Sequence, residues 1–148
     1  MHHVAIMKKS LKLLPKILSG EKSIESRWYT GKRKPWDVVA KGDTIYFKNT
    51  SEPITLHVTV SDVIQFQDLT PKNVKHVLDT YSTQLGIEEY RKKFFTLYKD
   101  KKYCILIFLK NPKKVKSFNI DKTGFGAMSA WISVKNIRSV TSQISERI

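Results

Sequence analysis

The sequence predicts an α+β fold in which several strands form a sheet beside a helical middle segment. Residues 54–60 alternate apolar and polar side chains, as expected for a strand with one buried face. Residues 70–86 instead show apolar side chains at helical spacing, after a capping threonine and a proline. Residues 103–109 are apolar almost throughout, which is typical of a strand buried on both faces. Strands and helices therefore occur in separate stretches rather than in strict alternation.

The first part of the chain contains a strand, a helix and a second strand. Residues 4–7 form a short apolar strand, and a helix is expected over about 12–19. Pro15 lacks an amide hydrogen and is tolerated only in the first turn of that helix. Gly20 suits the left-handed position that closes a helix. The chain is then expected to enter the second strand over residues 23–29.

The remaining elements follow from the same two periods. Gly42 and Asp43 predict a tight turn into a strand over 44–48, with Ile45 and Phe47 directed inward. A second helix is expected over about 88–98, with Tyr90, Phe94, Leu97 and Tyr98 toward the core. After the apolar strand, residues 111–114 predict a basic turn and residues 115–120 a further strand.

Length and charge limit the classes of function. The 148 residues are 41% apolar and suit a single domain spanning 1–148, with a polar tail after about residue 140 expected to fray. The formal net charge of +14 favours a polyanionic partner, nucleic acid first and an acidic membrane surface second. Lys and Arg are concentrated in residues 8–34 and 91–116, which could line one groove. The alternative is a generally solvated basic surface.

Several classes of site are disfavoured. Cys104 is the only cysteine, so neither an intrachain disulfide nor a zinc cluster of cysteines can form, and its apolar neighbours predict a buried, inert thiol. His57 falls on the polar face of its strand and is interpreted as a solvated side chain rather than a metal ligand. No role is assigned to His2 or His3. No targeting or membrane-spanning segment is recognised, so we expect a cytoplasmic protein without membrane association, cofactor or metal.

The alternation over residues 23–29 contains the main functional signal. Ser23, Glu25, Arg27 and Tyr29 project to one side of the strand, while Ile24, Ser26 and Trp28 project to the other. Glu25 and Arg27 can hold each other's orientation and present a guanidinium to a phosphate or a base edge. The alternative is an ordinary surface ion pair, which contributes little.

A glycine-bounded segment near the end of the chain could form one wall of a pocket. Gly124 and Gly126 allow unusual backbone angles, and Phe125 and Trp131 offer flat rings on which a base could stack. The alternative is a loop whose aromatic side chains cover one end of the fold.

Two motifs resemble the ASCH domain, a small barrel of the PUA-like superfamily. Residues 20–27 read Gly-Glu-Lys-Ser-Ile-Glu-Ser-Arg and are similar to its Gly-x-Lys-Thr-x-Glu-x-Arg signature, with Ser23 where threonine is usual. Lys41-Gly42-Asp43 before a strand is the second motif. The resemblance implies a PUA-like β-barrel of about five to seven mixed strands with flanking helices. It also implies a cleft that receives Lys22, Glu25 and Arg27.

The resemblance further implies binding of RNA or a modified nucleotide by a basic cleft. In this hypothesis Lys22, Arg27 and the loop 32–34 meet phosphates, and an indole or phenyl ring stacks on a base. No protein partner is identified. The residues expected to bind are Lys22, Glu25, Arg27, Trp28, Lys32, Arg33, Lys34, Trp36, Phe125, Ser129 and Trp131.

The alternative is a hydrolase acting on nucleic acid, with Lys22 and Glu25 as catalytic residues. Some family members remove an acyl group from acetylated cytidine by means of a lysine, a threonine nucleophile and a glutamate. Lys22 matches the lysine, but Glu25 occupies the threonine position and offers no attacking hydroxyl. A ribonuclease would need a proton acceptor, for which Glu25 and His57 are candidates. A third hypothesis is a protein-interaction adaptor with an exposed apolar patch.

Overall fold

The computed structural model of the chain describes residues 1–142. Within this range the chain forms six strands, three α-helices and short 3-10 turns. The strands are β1 (His2–Met7), β2 (Ile24–Tyr29), β3 (Thr44–Asn49), β4 (Ile54–Phe66), β5 (Tyr103–Phe118) and β6 (Trp131–Val134). The helices are α1 (Leu13–Ser19), α2 (Pro71–Leu85) and α3 (Arg91–Tyr98).

The six strands form one mixed sheet in the order β2-β5-β4-β3-β1-β6, and this sheet curls into a half-barrel. Strands β1 and β3 pair in parallel, whereas the other neighbouring pairs are antiparallel. Strands β2 and β6 occupy the two ends of this order. The expectation of an α+β PUA-like barrel with mixed strands and flanking helices is therefore confirmed.

Apolar side chains fill both faces of the sheet. Inside the curl, Ile45 and Phe47 are fully buried, as the alternation of β3 predicts. On the other face, α2 and α3 cover β2 and β5, and Val74 and Leu78 of α2 are buried against Trp28. Strand β5 contributes Ile105 and Ile107 to the first cluster and Leu106 to the second, which explains its uninterrupted apolar sequence.

The prediction of a turn at residues 111–114 and a separate strand after it is wrong. Strand β5 runs without a break from Tyr103 to Phe118, alongside a β4 that is also longer than expected. The pairing of β4 with β5 shifts register at three places, and Asn111 adopts a positive φ of 53°. Bulges of this kind accommodate Pro112, which cannot donate a ladder hydrogen bond. The turn-forming residues therefore mark an irregular strand.

The helix expected over residues 88–98 is shorter, because Glu88–Tyr90 forms a 3-10 turn before α3 begins. The different pitch changes which side chains face inward. Phe94 is buried as predicted, but Tyr90 and Leu97 are 45% and 55% exposed, so their inward placement was wrong.

At the end of the described chain, Thr141 forms an isolated bridge with Ile120. Residues 143–148, where most of the predicted frayed tail falls, lie outside the described residues. No helix within residues 1–142 combines the length and apolar character needed to cross a membrane.

Candidate functional site

Three charged side chains form a buried chain of contacts at the start of β2. The Lys22 Nζ lies 3.3 Å from Glu25 Oε1, and the Arg27 guanidinium donates to Glu25 Oε2 over 2.8 Å. The side chains of Lys22 and Glu25 are only 2% and 5% exposed. The interpretation of Glu25 and Arg27 as a surface ion pair is therefore wrong, since both carboxylate oxygens are paired inside the protein.

Backbone geometry brings Lys22 into this position. Helix α1 ends at Ser19, and the next residue, Gly20, turns the chain with a φ of 84°. The Lys22 amide then donates to the Lys16 carbonyl over 2.9 Å. The Lys22 ammonium donates to the carbonyls of Ile24 (2.5 Å) and Leu85 (2.9 Å). With Glu25 these oxygens provide three acceptors for the three donors of an ammonium group.

Burial and pairing shift the pKa values of both groups. Burial lowers the pKa of Lys22, because desolvation disfavours its charged form and outweighs the attraction of Glu25. Burial alone would raise the pKa of Glu25, but the nearby charges of Lys22 and Arg27 outweigh it and lower the pKa. Glu25 is therefore held as a carboxylate between two cations.

Arg27 connects Lys22 and Glu25 to the segment at β6, the strand at the other end of the sheet order. Its Nη1 lies 3.4 Å from the Ala130 carbonyl oxygen, and its guanidinium carbon lies 5.1 Å from the centre of the Trp131 ring. The Arg27 side chain thereby links β2 with the segment that enters β6. Among the described residues, its buried Nε has no hydrogen-bond partner.

Two adjoining cavities meet near Arg27. The first, which we call the carboxylate cavity, has a volume of about 290 Å³ and contains Lys22, Glu25 and Arg27 in its wall. Mainly apolar side chains complete it, including Leu85, Phe94 and Tyr98. The volume is near the lower end for small-molecule sites.

The second cavity, which we call the loop cavity, has a volume of about 530 Å³. Its wall includes Arg33, Lys34, Phe125, Ser129 and Trp131. Tyr29 and Ala130 belong to the walls of both cavities, so the two spaces lie on either side of a shared partition. The two segments that the sequence singled out, residues 22–34 and 124–131, are thus brought together.

The aromatic side chains differ from the expectation of open stacking faces. Trp28 is 6% exposed and already stacks on Tyr98, with ring centres 5.0 Å apart. Trp131 is also buried and has the Arg27 guanidinium over its ring. Phe125 is the more accessible ring, at 38% exposure.

Three residues considered from sequence lie outside the two cavities. Lys32 and Trp36 are not among the lining residues, and Trp36 packs edge-on against Tyr103. His57 lies on β4 opposite Tyr46 and packs against that ring, so it is half-buried rather than solvated. His57 therefore does not join Glu25 as a proton acceptor.

Sequence reasoning missed Tyr29 and Tyr98 as site residues. Burial raises the pKa of Tyr98 to about 12, and Tyr98 lies between Trp28 and Phe94 in a stack of rings. Tyr29 lies on the same face of β2 as Glu25 and Arg27, and this alternation could have identified it as a site residue. The helical spacing of Tyr98 predicted that it packs in the core and gave no indication that it lines a cavity. Within residues 1–142, no group of three His, Cys, Asp or Glu side chains is arranged to hold a metal ion.

Comparisons with known proteins identify the fold. No family model matches the sequence, and a search of curated proteins found no match. The structure is similar to a crystal structure of ASCH from Zymomonas mobilis, with a TM-score of 0.67, 16% identity and coverage of 96% of each chain. A tyrosine-to-phenylalanine variant of that protein matches with a TM-score of 0.66 and 16% identity, over 95% of this chain and 99% of the other. Since these structures share the topology along nearly the whole chain, this protein has the ASCH fold.

Proposed function

We propose that the protein binds RNA or a modified nucleotide, with a base in the carboxylate cavity and phosphate at the loop cavity. The observation that carries this proposal is the position of the Arg27 guanidinium in the wall of the carboxylate cavity, beside the Ala130 carbonyl of the partition. A base edge provides acceptors for such a donor, and the fixed contacts with Glu25 and Trp131 hold the guanidinium in place. The net charge of +14 favours a polyanionic partner but does not indicate where on the surface it binds.

The two cavities differ in the chemistry they offer. The carboxylate cavity is largely apolar and has the size of a base or small nucleoside, whereas Arg33 and Lys34 at the loop cavity are exposed cations. Phosphates placed beside these cations release counterions and make the affinity salt-dependent. Phe125 is the ring that remains accessible for stacking. Lys22, Glu25, Trp28, Ser129 and Trp131 then shape the walls, and Lys22 acts through Glu25 rather than on a phosphate.

Fluorescence anisotropy with labelled single-stranded RNA, competed by unmodified and modified nucleosides, tests this proposal. Arg27→Ala should weaken binding about 10- to 100-fold, since a hydrogen bond to a charged group contributes about 1.5–3 kcal/mol. Arg138→Ala is the control, because Arg138 is exposed and lines neither cavity. Equal affinities of the two variants would contradict the assignment, and an affinity for RNA no higher than that of an unrelated basic protein would contradict the function.

A hydrolase acting on nucleic acid is the second candidate, favoured by the buried contact between Lys22 and Glu25. The low exposure of both groups and the lowered pKa of Lys22 are features of acid–base sites. An amidohydrolase would release acetate from acetylated cytidine, and a ribonuclease would shorten labelled RNA. Loss of turnover in Lys22→Ala and Glu25→Ala variants that keep the circular dichroism of the wild-type protein would support this activity. Turnover that is absent from the wild-type protein, or unchanged in both variants, would exclude these residues as catalysts.

A further inference from the structure

A second polar cluster lies apart from Lys22 and Glu25, where β1 meets β6 and the turn before β3. His3 is fully buried, and both of its ring nitrogens contact other side chains. Its Nδ1 lies 2.8 Å from Ser133 Oγ, and its Nε2 lies 2.8 Å from Asp43 Oδ2. His3 and Ser133 are paired neighbours in the antiparallel ladder of β1 and β6. A hydroxyl, an imidazole and a carboxylate are thus connected in series.

The chemistry of the three groups fixes the direction of each hydrogen bond. The Asp43 carboxylate can only accept, so the ring proton of neutral His3 lies on Nε2. Nδ1 then carries a lone pair, and the Ser133 hydroxyl must donate to it. Burial lowers the pKa of His3, which keeps the imidazole neutral and able to accept this proton.

Other contacts hold the cluster in this arrangement. Asp43 Oδ2 also accepts from the Ala40 amide over 3.0 Å, which orients the carboxylate. The Trp131 N–H donates toward both Ser133 Oγ, which lies 3.1 Å from Nε1, and His3 Nδ1, which lies 3.3 Å from it. Ser133 belongs to the wall of the loop cavity, whereas His3 and Asp43 do not. Ser133 is therefore the member of the cluster that borders the loop cavity, although it is only 9% exposed.

We propose that Ser133 is the nucleophile of a second site that cleaves acyl esters, with His3 as general base and Asp43 as its positioning residue. The arrangement corresponds to the Ser-His-Asp constellation with the roles of the two ring nitrogens exchanged. Arg33 and Lys34 line the same cavity and favour an ester that carries a phosphate or carboxylate near the scissile carbonyl. This site shares the loop cavity with the proposed phosphate position and is separate from the carboxylate cavity.

The reaction balances with water as the only co-substrate. Ser133 Oγ attacks the carbonyl carbon while its proton moves to His3 Nδ1, and the negative charge develops on the former carbonyl oxygen. The bond from carbon to the leaving alcohol oxygen then breaks, and that oxygen takes the proton from His3. A water molecule hydrolyses the acyl-serine by the same proton path. The products are one carboxylic acid and one alcohol.

Labelling with a fluorophosphonate probe followed by mass spectrometry tests the proposal. The expected result is a phosphonyl adduct on Ser133, abolished by Ser133→Ala. Ser139→Ala is the control: Ser139 is exposed, lines neither cavity, and its hydroxyl donates to the Asn136 carbonyl over 2.8 Å. Ser129 lines the same cavity as Ser133, but its hydroxyl donates to the Trp131 carbonyl, so it should stay unlabelled. An adduct on Ser129, or no adduct on Ser133 in the folded wild-type protein, would overturn the proposal.

Asp43→Asn tests the role of the carboxylate. An amide at this position can donate to His3 Nε2 and so place the ring proton on Nδ1, where it blocks acceptance from Ser133. We expect the labelling rate to fall by about 100-fold or more, with near-unchanged circular dichroism. An unchanged rate would refute the positioning role. Should this variant unfold, the site of the adduct in wild-type protein still decides the proposal.

Discussion

The Lys22 Nζ lies 2.9 Å from the Leu85 carbonyl oxygen, so a buried ammonium joins the end of α2 to the start of β2. This contact is possible because Gly86 follows Leu85 with a φ of 73° and leaves space for the lysine stem. The same ammonium approaches Glu25, whose other oxygen holds Arg27. Helix packing and the candidate site are therefore coupled through one side chain.

Removal of one charge from this cluster should be strongly destabilising. Glu25→Gln leaves the Lys22 ammonium buried with its charge uncompensated, and we expect a loss of about 3–5 kcal/mol in the free energy of unfolding. Combining it with Lys22→Met should cost much less than the sum of the two single effects. Urea denaturation of the three variants measures this coupling.

The exposed pair of Lys9 and Glu52 provides the control cycle for that experiment, because its nitrogen and oxygen are 2.6 Å apart but lie in solvent. The coupling free energy between Lys9 and Glu52 should be far smaller than that between Lys22 and Glu25. Additive effects at Lys22 and Glu25 would show that the buried contact has no special energetic role.

Gly86→Ala should disturb the site, whereas Gly20→Ala should not. Both glycines have positive φ, so each substitution costs about 1–2 kcal/mol through the backbone alone. A Cβ at Gly86 would also lie 3.3 Å from the Lys22 Cβ, while one at Gly20 meets open space. We expect a larger decrease in stability and weaker RNA binding for Gly86→Ala alone, measured by urea denaturation and anisotropy. Equal behaviour of the two variants would contradict the close approach.

The salt dependence of RNA binding should report on the loop cavity. Arg33→Ala combined with Lys34→Ala should reduce the slope of log affinity against log salt by about 0.7 for each phosphate that is no longer neutralised, or about 1.4 in total. Lys113→Ala combined with Lys114→Ala removes the same charge from an exposed part of β5 and should leave the slope unchanged. Equal slopes in the two double variants would indicate diffuse charge rather than a defined phosphate position.

The protein should become less stable on mild acidification because of His3. Burial lowers the pKa of folded His3 below its unfolded value near 6.5, so the unfolded chain takes up the proton first as pH falls. This contribution is fully present above about pH 6.5 and is lost toward lower pH, with a slope of at most about 1.4 kcal/mol per pH unit. The lowered pKa of Asp43 adds a further decrease at more acidic pH.

Thermal unfolding between about pH 7 and 5 measures this dependence, with His3→Gln expected to remove most of the slope. The groups that act on His3 are Asp43, the N-terminal amine and His2. The pKa of His2 is also lowered by burial, but His2 is only half-buried, so His2→Gln is the comparison variant with a smaller effect. A slope unchanged in His3→Gln would refute the assignment.

Local sequence patterns were sufficient to predict strand faces and helix bounds where side-chain alternation or a capping residue specifies the structure. The alternation over residues 23–29 correctly separated Glu25 and Arg27 from Trp28, and the threonine, proline and glycine signals correctly bounded α2. The turn-forming residues at 111–114 led to a wrong prediction of a turn. The segment stays within β5, because the long neighbouring strand β4 provides hydrogen-bond partners for its irregular backbone. Tertiary pairing overrides local preference in such cases.

The sequence by itself determined the α+β class, the polar face of β2 and the cationic character of the chain, since side-chain period and composition are local properties. Only the tertiary structure decided that Lys22 is buried, that Trp28 already has a stacking partner, and that residues 124–131 reach the partition beside Arg27. It also placed His3 beside Ser133, which is 130 residues away in the chain. Contacts of this separation depend on strand order and curvature, which the energetics of the whole sheet select and no short segment encodes.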